Sequence, residues 1–361
     1  MKTILLLDSN YPINTRNEKI FHSLSLADDC EIKVCTWNRN SVSIEDNKDY
    51  FIYEKTSEVG NLRLKLQNLY GYYIFLRNLL NVYTFDVIIA SHWDMLFLSA
   101  LLKKKCQTLI YENLDIPTSS NKLILAILKW IEKLCLHKTD AIVFASRFFV
   151  ELYSHFKGEK ILIENKPLAL VDKTSIQTIK KQNYLFVISY IGLVRYLDIL
   201  QHLVDAVRGN PAVELNIHGE GQDLEKLKKY ANGCTNIHFT GRFEQSDLPI
   251  LYANADIVWA AYPNKDYNVK YAISNKFHES IVYRTPCIYS EKTKLGDYVL
   301  ENRIGLVVNP YSVISIKELI DRVISENGIL EDLQSNLILF SKNEKTWEDE
   351  IVNLKNYIYT L

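Results

Sequence analysis

Between Ser274 and Ser290 the sequence reads SNKFHESIVYRTPCIYS. Ser274 or Asn275 can cap a short helix, whose first backbone N–H groups are then available to an anion. Lys276 and Glu279, three residues apart, share one helical face, and Phe277 and Ile281 share the adjoining apolar face. A lysine and a carboxylate so spaced suit a ligand with phosphates and vicinal hydroxyls. The ammonium would meet the anion, and the carboxylate would accept two hydrogen bonds from a ribose diol. An intrahelical salt bridge is the competing reading of the same spacing.

Further candidates lie at the ends of apolar runs. SYIGLVRYLDILQHLVDAV (189–207) is a strand, a turn at Gly192 and an amphipathic helix. Arg195, at the mouth of that helix, could meet a diphosphate, because a guanidinium fork matches phosphate oxygens. IHGEGQDLEKL (217–227) runs from strand to helix through Gly219, Glu220 and Gly221, where glycine lets backbone approach a ligand or simply turn. In HFTGRFEQSDL (238–248), Arg242 and Phe243 follow another strand. DVIIASHWD (86–94) places His92 and Asp94 directly after a buried run, with a structural histidine in a turn as the alternative.

These loops need strands and helices to hold them. In the first half apolar runs at 3–8, 31–37, 86–91, 107–113, 140–146 and 160–165 alternate with helical stretches at 16–26, 62–82, 96–104, 121–137 and 147–156. In the second half the runs fall at 184–192, 213–219, 236–241, 256–262, 286–290 and 305–310. Unalternating apolar runs suit parallel sheets covered on both faces. Residues 163–183, with Pro167 and a polar charged tract, read as a linker. The 361 residues thus divide into two doubly wound α/β domains, whose expected site is the cleft between them.

Composition excludes several classes. A net charge of -1 gives no electrostatic footprint for nucleic acid. The six cysteines form no CxxC pair and read as buried thiols of a cytosolic protein. No window reaches the length of a spanning helix, and the N-terminal apolar run ends at Asp8, too soon for a signal peptide. No GxGxxG follows the first strand, which disfavours a nicotinamide-dependent enzyme. Residues 60–170 carry 14 Lys/Arg against 9 Asp/Glu. They include the basic, tyrosine-rich stretch Leu62 to Val82, which could lie on an anionic membrane or pack in the core.

The order of these segments resembles the donor domain of GT-B glycosyltransferases, specifically retaining glycosyltransferase family 4. The resemblance rests on YIGLVR (190–195), IHGEG (217–221), IHFTGRF (237–243) and HESIVYRTPCI (278–288). It implies that Glu279 holds the ribose, that Arg195 and Lys276 hold the donor phosphates beside Ser274 and Asn275, and that backbone near Arg242 and Phe243 holds the base. Residues 11–37 resemble the first βαβ unit, with Asn14 and Arg16 on the acceptor side together with Asp94. DVIIASHWD resembles the strand that ends in an active-site histidine, here His92, and 345–359 the closing helix. Two departures stand out. Tyr271 occupies the position of the first glutamate of the family's E-x7-E, and Arg284 that of the glycine in G-x-P.

The resemblance implies a GT-B fold: two Rossmann-like domains facing a central cleft. The acceptor domain would span 1–168, with 345–361 packed back on it, and the donor domain 169–344. It implies a hexosyltransferase-type enzyme moving sugar, with retention, from a nucleoside diphosphate sugar to a glycan or lipid-linked acceptor in bacterial surface polysaccharide synthesis. No cofactor or metal is expected, because Arg195, Lys276 and helix N–H groups would stabilise the leaving diphosphate. The expected location is cytoplasmic, at the inner face of the plasma membrane, with peripheral contact through the N-terminal domain. A catalytically idle nucleotide-sugar-binding subunit and a GT-B sugar-nucleotide epimerase stay open as alternatives.

Overall fold

The computed structural model describes every residue except 28, 45–46, 57–61, 106, 120 and 169–184, and the side chains of 62–66. Most of the expected linker therefore lies outside the described residues. Two compact units emerge, Met1–Asn165 with Trp347–Leu361, and Lys166–Thr346.

The first unit runs β1 (Lys2–Asp8), α1 (Thr15–Ser25), β2 (Cys30–Asn38), β3 (Tyr50–Glu54), α2 (Leu62–Val82), β4 (Val87–Ser91), α3 (His92–Leu102), β5 (Thr108–Asn113), α4 (Lys122–Leu136), β6 (Ala141–Phe144) and β7 (Glu159–Leu162). The strands pair in the order β3-β2-β1-β4-β5-β6-β7, every pair parallel. The apolar runs explain the centre of the sheet: Leu5, Leu6 and Leu7 in β1 and Val87 through Ala90 in β4 are wholly buried. The strand order reverses between β1 and β4, so the loops after these two strands flank the crevice where doubly wound sheets take ligands.

The second unit runs β8 (Phe186–Ile191), α5 (Leu197–Val207), β9 (Val213–His218), α6 (Leu224–Tyr230), β10 (Ile237–Gly241), α7 (Leu248–Ala253), β11 (Ile257–Trp259), α8 (Tyr267–Tyr271), α9 (Asn275–Tyr283), β12 (Cys287–Ser290), α10 (Lys294–Glu301), β13 (Leu306–Val308), α11 (Val313–Ser325) and α12 (Ile329–Ser341). Its sheet is also parallel, ordered β10-β9-β8-β11-β12-β13, and reverses between β8 and β11. One face of that sheet is closed by α5 and α11, through Leu203, Val207, Ile316 and Ile320. The last helix, α13 (Trp347–Thr360), belongs to the first unit. There Trp347 Nε1 donates to Ser23 Oγ (3.0 Å), and Glu350 Oε2 accepts the Glu164 N–H (2.6 Å).

The structure departs from the sequence reading in two places and decides between two open readings in a third. β3 is an edge strand whose residues are only half-buried, so YFIYE lacks the unbroken apolar signature of its neighbours. The stretch 147–156 forms only a 3₁₀ turn at Val150–Tyr153. Buried Glu164 takes the Arg147 backbone N–H (3.0 Å) and, through both oxygens, its guanidinium. In α2 the apolar residues Leu69, Tyr72, Leu76, Leu79 and Leu80 are buried, so over 67–82 its apolar face belongs to the core.

Candidate active site

Three glycines and a lysine meet at the carboxyl end of β8. Gly192 (φ 142°), Gly219 (φ 134°) and Gly221 (φ 158°) all adopt backbone that favours glycine. The loops after β8 and β9 lie backbone against backbone: Gly192 N donates to the His218 carbonyl (2.9 Å) and Val194 N to the Glu220 carbonyl (2.8 Å). A Cβ on Gly219 would collide with the Gly192 carbonyl, and one on Gly221 with Val194. A Cβ on Gly192 would sit 3.0 Å from Lys276 Nζ, so the lysine ammonium lies directly beside this turn.

Lys276 reaches that position from the first turn of α9. Ser274 caps the helix without a side-chain bond, and its buried hydroxyl has no partner among the described residues. Lys276 Nζ donates to the Tyr262 hydroxyl (2.9 Å), with the Tyr190 and Tyr262 rings 5.2 and 5.6 Å from the nitrogen. Burial alone would lower the pKa of this ammonium, but the two tyrosine hydroxyls and the Glu279 carboxylate outweigh it, so the lysine is held charged.

One turn on, Glu279 accepts a hydrogen bond from the Tyr252 hydroxyl (2.7 Å) on its Oε2. Tyr252 comes from α7 and is fully buried, which with the adjacent carboxylate pushes its phenol far above the ordinary range. The phenol is thus a fixed donor that orients a half-buried carboxylate and leaves Oε1 for a ligand. His218, at the end of β9, has its pKa lowered by burial and shares a 2.8 Å hydrogen bond between Nδ1 and Thr240 Oγ1.

Gly192, Gly219 and Lys276 therefore come together, with Glu279 on the same helix. Arg195 is exposed, its guanidinium 4.8 Å from the Tyr196 ring, at the start of α5. Ser274 and Asn275 form the N-terminus of α9. Glu220 and Arg242 are exposed and Phe243 is half-buried, on the loops after β9 and β10. Sequence reasoning missed the tyrosines Tyr190, Tyr252 and Tyr262. Their only signal was an aromatic residue at a strand end or within a short helix.

The two departures have structural settings. Tyr271 ends α8, its ring 5.3 Å from that of Tyr267 and 5.9 Å from Lys294 Nζ. Arg284 ends α9 in left-handed backbone (φ 58°, ψ 28°), the conformation for which glycine is the favoured residue after a helix.

In the first unit Asp8, at the end of β1, accepts hydrogen bonds from Asn10 N, from Asn14 N and Nδ2, and from Asn17 Nδ2. Asn14 caps α1. Arg16 is 1% exposed and bonds Glu112 through Nε, while Ser91 Oγ bonds both Glu112 and Asn17. Arg16 is thus a member of a buried network tying β1, β4 and β5 together. His92, the residue after Ser91, is half-buried in left-handed backbone (φ 68°). Such a conformation in a non-glycine residue costs of order 1–3 kcal/mol and clusters at functional sites. Asp94 is buried, 3.4 Å from Arg39. Among the described residues no cluster of three or more His, Cys, Asp or Glu could hold a metal ion.

Residues 171–340 match the family model described as Glycosyl transferases group 1. Among solved structures, sucrose-phosphate synthase from Thermosynechococcus elongatus aligns over 100% of this chain and 99% of its own, at TM-score 0.74 and 15% identity. Anabaena HepE, solved in complex with UDP, aligns over 100% of both chains at TM-score 0.68 and 14% identity. WaaG, a glycosyltransferase involved in lipopolysaccharide biosynthesis, aligns over 97% of this chain and 98% of its own at TM-score 0.70 and 12% identity. No curated protein matches the sequence. At such identities the structural likeness is one of fold, and the fold is GT-B. With the group 1 match across the second unit, the protein is a glycosyltransferase.

Proposed function

We propose that this glycosyltransferase takes its sugar from a nucleoside diphosphate sugar and transfers it, with retention, to a hydroxyl of a glycan or lipid-linked acceptor. The setting would be bacterial surface polysaccharide synthesis at the inner face of the membrane. The observation that carries the donor reading is Lys276, a buried ammonium set against the Gly192 turn, with the oriented Glu279 carboxylate one turn further along the same helix. Retention and the acceptor class rest on the family resemblance.

In this reading Lys276, Arg195 and the N–H groups opening α9 stabilise the negative charge that builds on the leaving diphosphate. Glu279 accepts from the ribose diol, and the loop carrying Arg242 and Phe243 holds the base. His92 is the residue of the first unit assigned to the transferred sugar, and Asn14 and Asp94 mark the acceptor side, with Arg16 positioning the loop beneath them. The chemistry needs no metal, because preorganised cations and dipoles meet the developing charge.

Titration of the full chain with UDP, GDP and ADP by calorimetry tests the reading. One of the three should bind, and Glu279→Gln should weaken it by roughly 10-fold or more, since a hydrogen bond to a charged group contributes about 1.5–3 kcal/mol. Absence of binding by all three nucleotides, or equal binding by a folded Glu279→Gln variant, overturns it.

A further inference from the structure

The fourth helix carries apolar residues on two sides. Its inner side is buried through Cys135 and Leu136, and Glu132 turns inward, where its Oε1 accepts from the hydroxyls of Tyr111 (2.9 Å) and Tyr153 (2.7 Å). On the outer side Leu123, Ile127, Trp130 and Leu134 are 76%, 55%, 61% and 48% exposed. At ~100° per residue these four fall within an arc of ~60°, almost opposite the buried side. An unbroken outward stripe of this kind has no use in packing its own sheet. Large exposed apolar patches mark interaction surfaces.

Charge identifies the occupant. Lys122, Lys129 and Lys133 fall within an arc of ~40° along one edge of the stripe, and Glu132, the helix's one acid, is buried. The exposed surface of α4 is thus apolar and cationic, with no carboxylate. A convex helix bearing a tryptophan among aliphatic residues, edged by lysines, matches a lipid surface with anionic headgroups. It does not match a partner with an apolar face of neutral rim. The face lies wholly in the first unit, and no helix among the described residues is long and apolar enough to cross a membrane.

We propose that the outer face of α4 docks the protein in the plane of an anionic membrane, with Leu123, Ile127, Trp130 and Leu134 in the acyl boundary and Lys122, Lys129 and Lys133 at the headgroups. This assigns membrane contact to α4 rather than to the Leu62–Val82 helix, whose described apolar face is buried. The assignment is independent of the donor site, so vesicle binding and nucleotide binding can fail separately.

Co-sedimentation of the full chain with vesicles of phosphatidylcholine containing about a third phosphatidylglycerol, against phosphatidylcholine alone, tests it. The protein should pellet with the anionic vesicles, and its tryptophan emission should shift to the blue in a way that Trp130→Phe removes. Ile127→Glu with Trp130→Glu should abolish binding. Lys122→Gln, Lys129→Gln and Lys133→Gln together should weaken it by about a hundredfold, about fivefold for each lysine. All substituted side chains are exposed, so a thermal melt matching the parent confirms folding. A parent that stays in the supernatant overturns the proposal, as does pelleting unaffected by the variants. So does a dimer, seen by sedimentation velocity, that the glutamate variants dissociate while no vesicle binding occurs.

Discussion

Replacing Lys276 with methionine keeps the side chain's length and removes its charge. In the parent protein Lys276 is 6% exposed, and among the described residues its ammonium donates one hydrogen bond, to Tyr262, and forms no ion pair with a carboxylate. Burial removes hydration from this charge, but Tyr190, Tyr262 and the Glu279 carboxylate more than offset that cost. Methionine at this position should therefore leave the unliganded protein as stable as the parent, or less stable by no more than about 1.5 kcal/mol, the net worth of one lost hydrogen bond. The half-buried Tyr262 hydroxyl can then turn to water. Affinity for a nucleoside diphosphate should fall further. Loss of a charge-assisted hydrogen bond contributes about 1.5–3 kcal/mol, a Kd roughly 10- to 150-fold weaker. The matching nucleoside, which has no phosphate, should bind both proteins equally. Calorimetry with nucleoside diphosphates and nucleosides, paired with thermal melts of the unliganded proteins, reads both effects. A variant that melts well below the parent yet binds the diphosphate unchanged would refute the reasoning, because the ammonium would then be a structural group.

Arg284→Gly should raise stability by about 1 kcal/mol, measured by chemical denaturation, because a non-glycine residue in left-handed backbone is strained and the side chain is exposed. For His218 the folded pKa lies below the unfolded value near ~6.5, so the unfolded chain binds the extra proton first. Stability should fall as pH drops through ~6.5 and level off below the folded pKa. His218→Gln should flatten that part of the melting-temperature profile, and an unchanged slope would remove His218 as its source.

The centres of both sheets were legible because a strand buried on both faces must be an unbroken apolar run, as in β1 and β4. The half-exposed edge strand β3 has no such constraint and escaped notice. Lys276 and Glu279 could be picked out from their spacing, but not the reason the lysine stays charged and the carboxylate is oriented. That reason is three tyrosines contributed by β8, α7 and the segment after β11, which only tertiary folding assembles. The Arg284 departure is legible as a missing glycine, and the structure supplies its meaning as a left-handed helix end. The outward stripe of α4 was hidden for a different reason. A sequence rich in leucine and isoleucine does not reveal which of two apolar sides a sheet will cover.

The return of α13 to the first unit sets an order of events during synthesis. A chain emerging from the ribosome completes β1 through β7 early, yet Trp347, which lies beside Arg16 and bonds Ser23, appears only after the whole second unit has been made. Until then Glu164 lacks the acceptor that Glu350 provides for its N–H. The first unit is therefore begun first and finished last. A nascent chain stalled anywhere before residue 347 would hold a nearly complete second unit beside a first one still missing its closing helix.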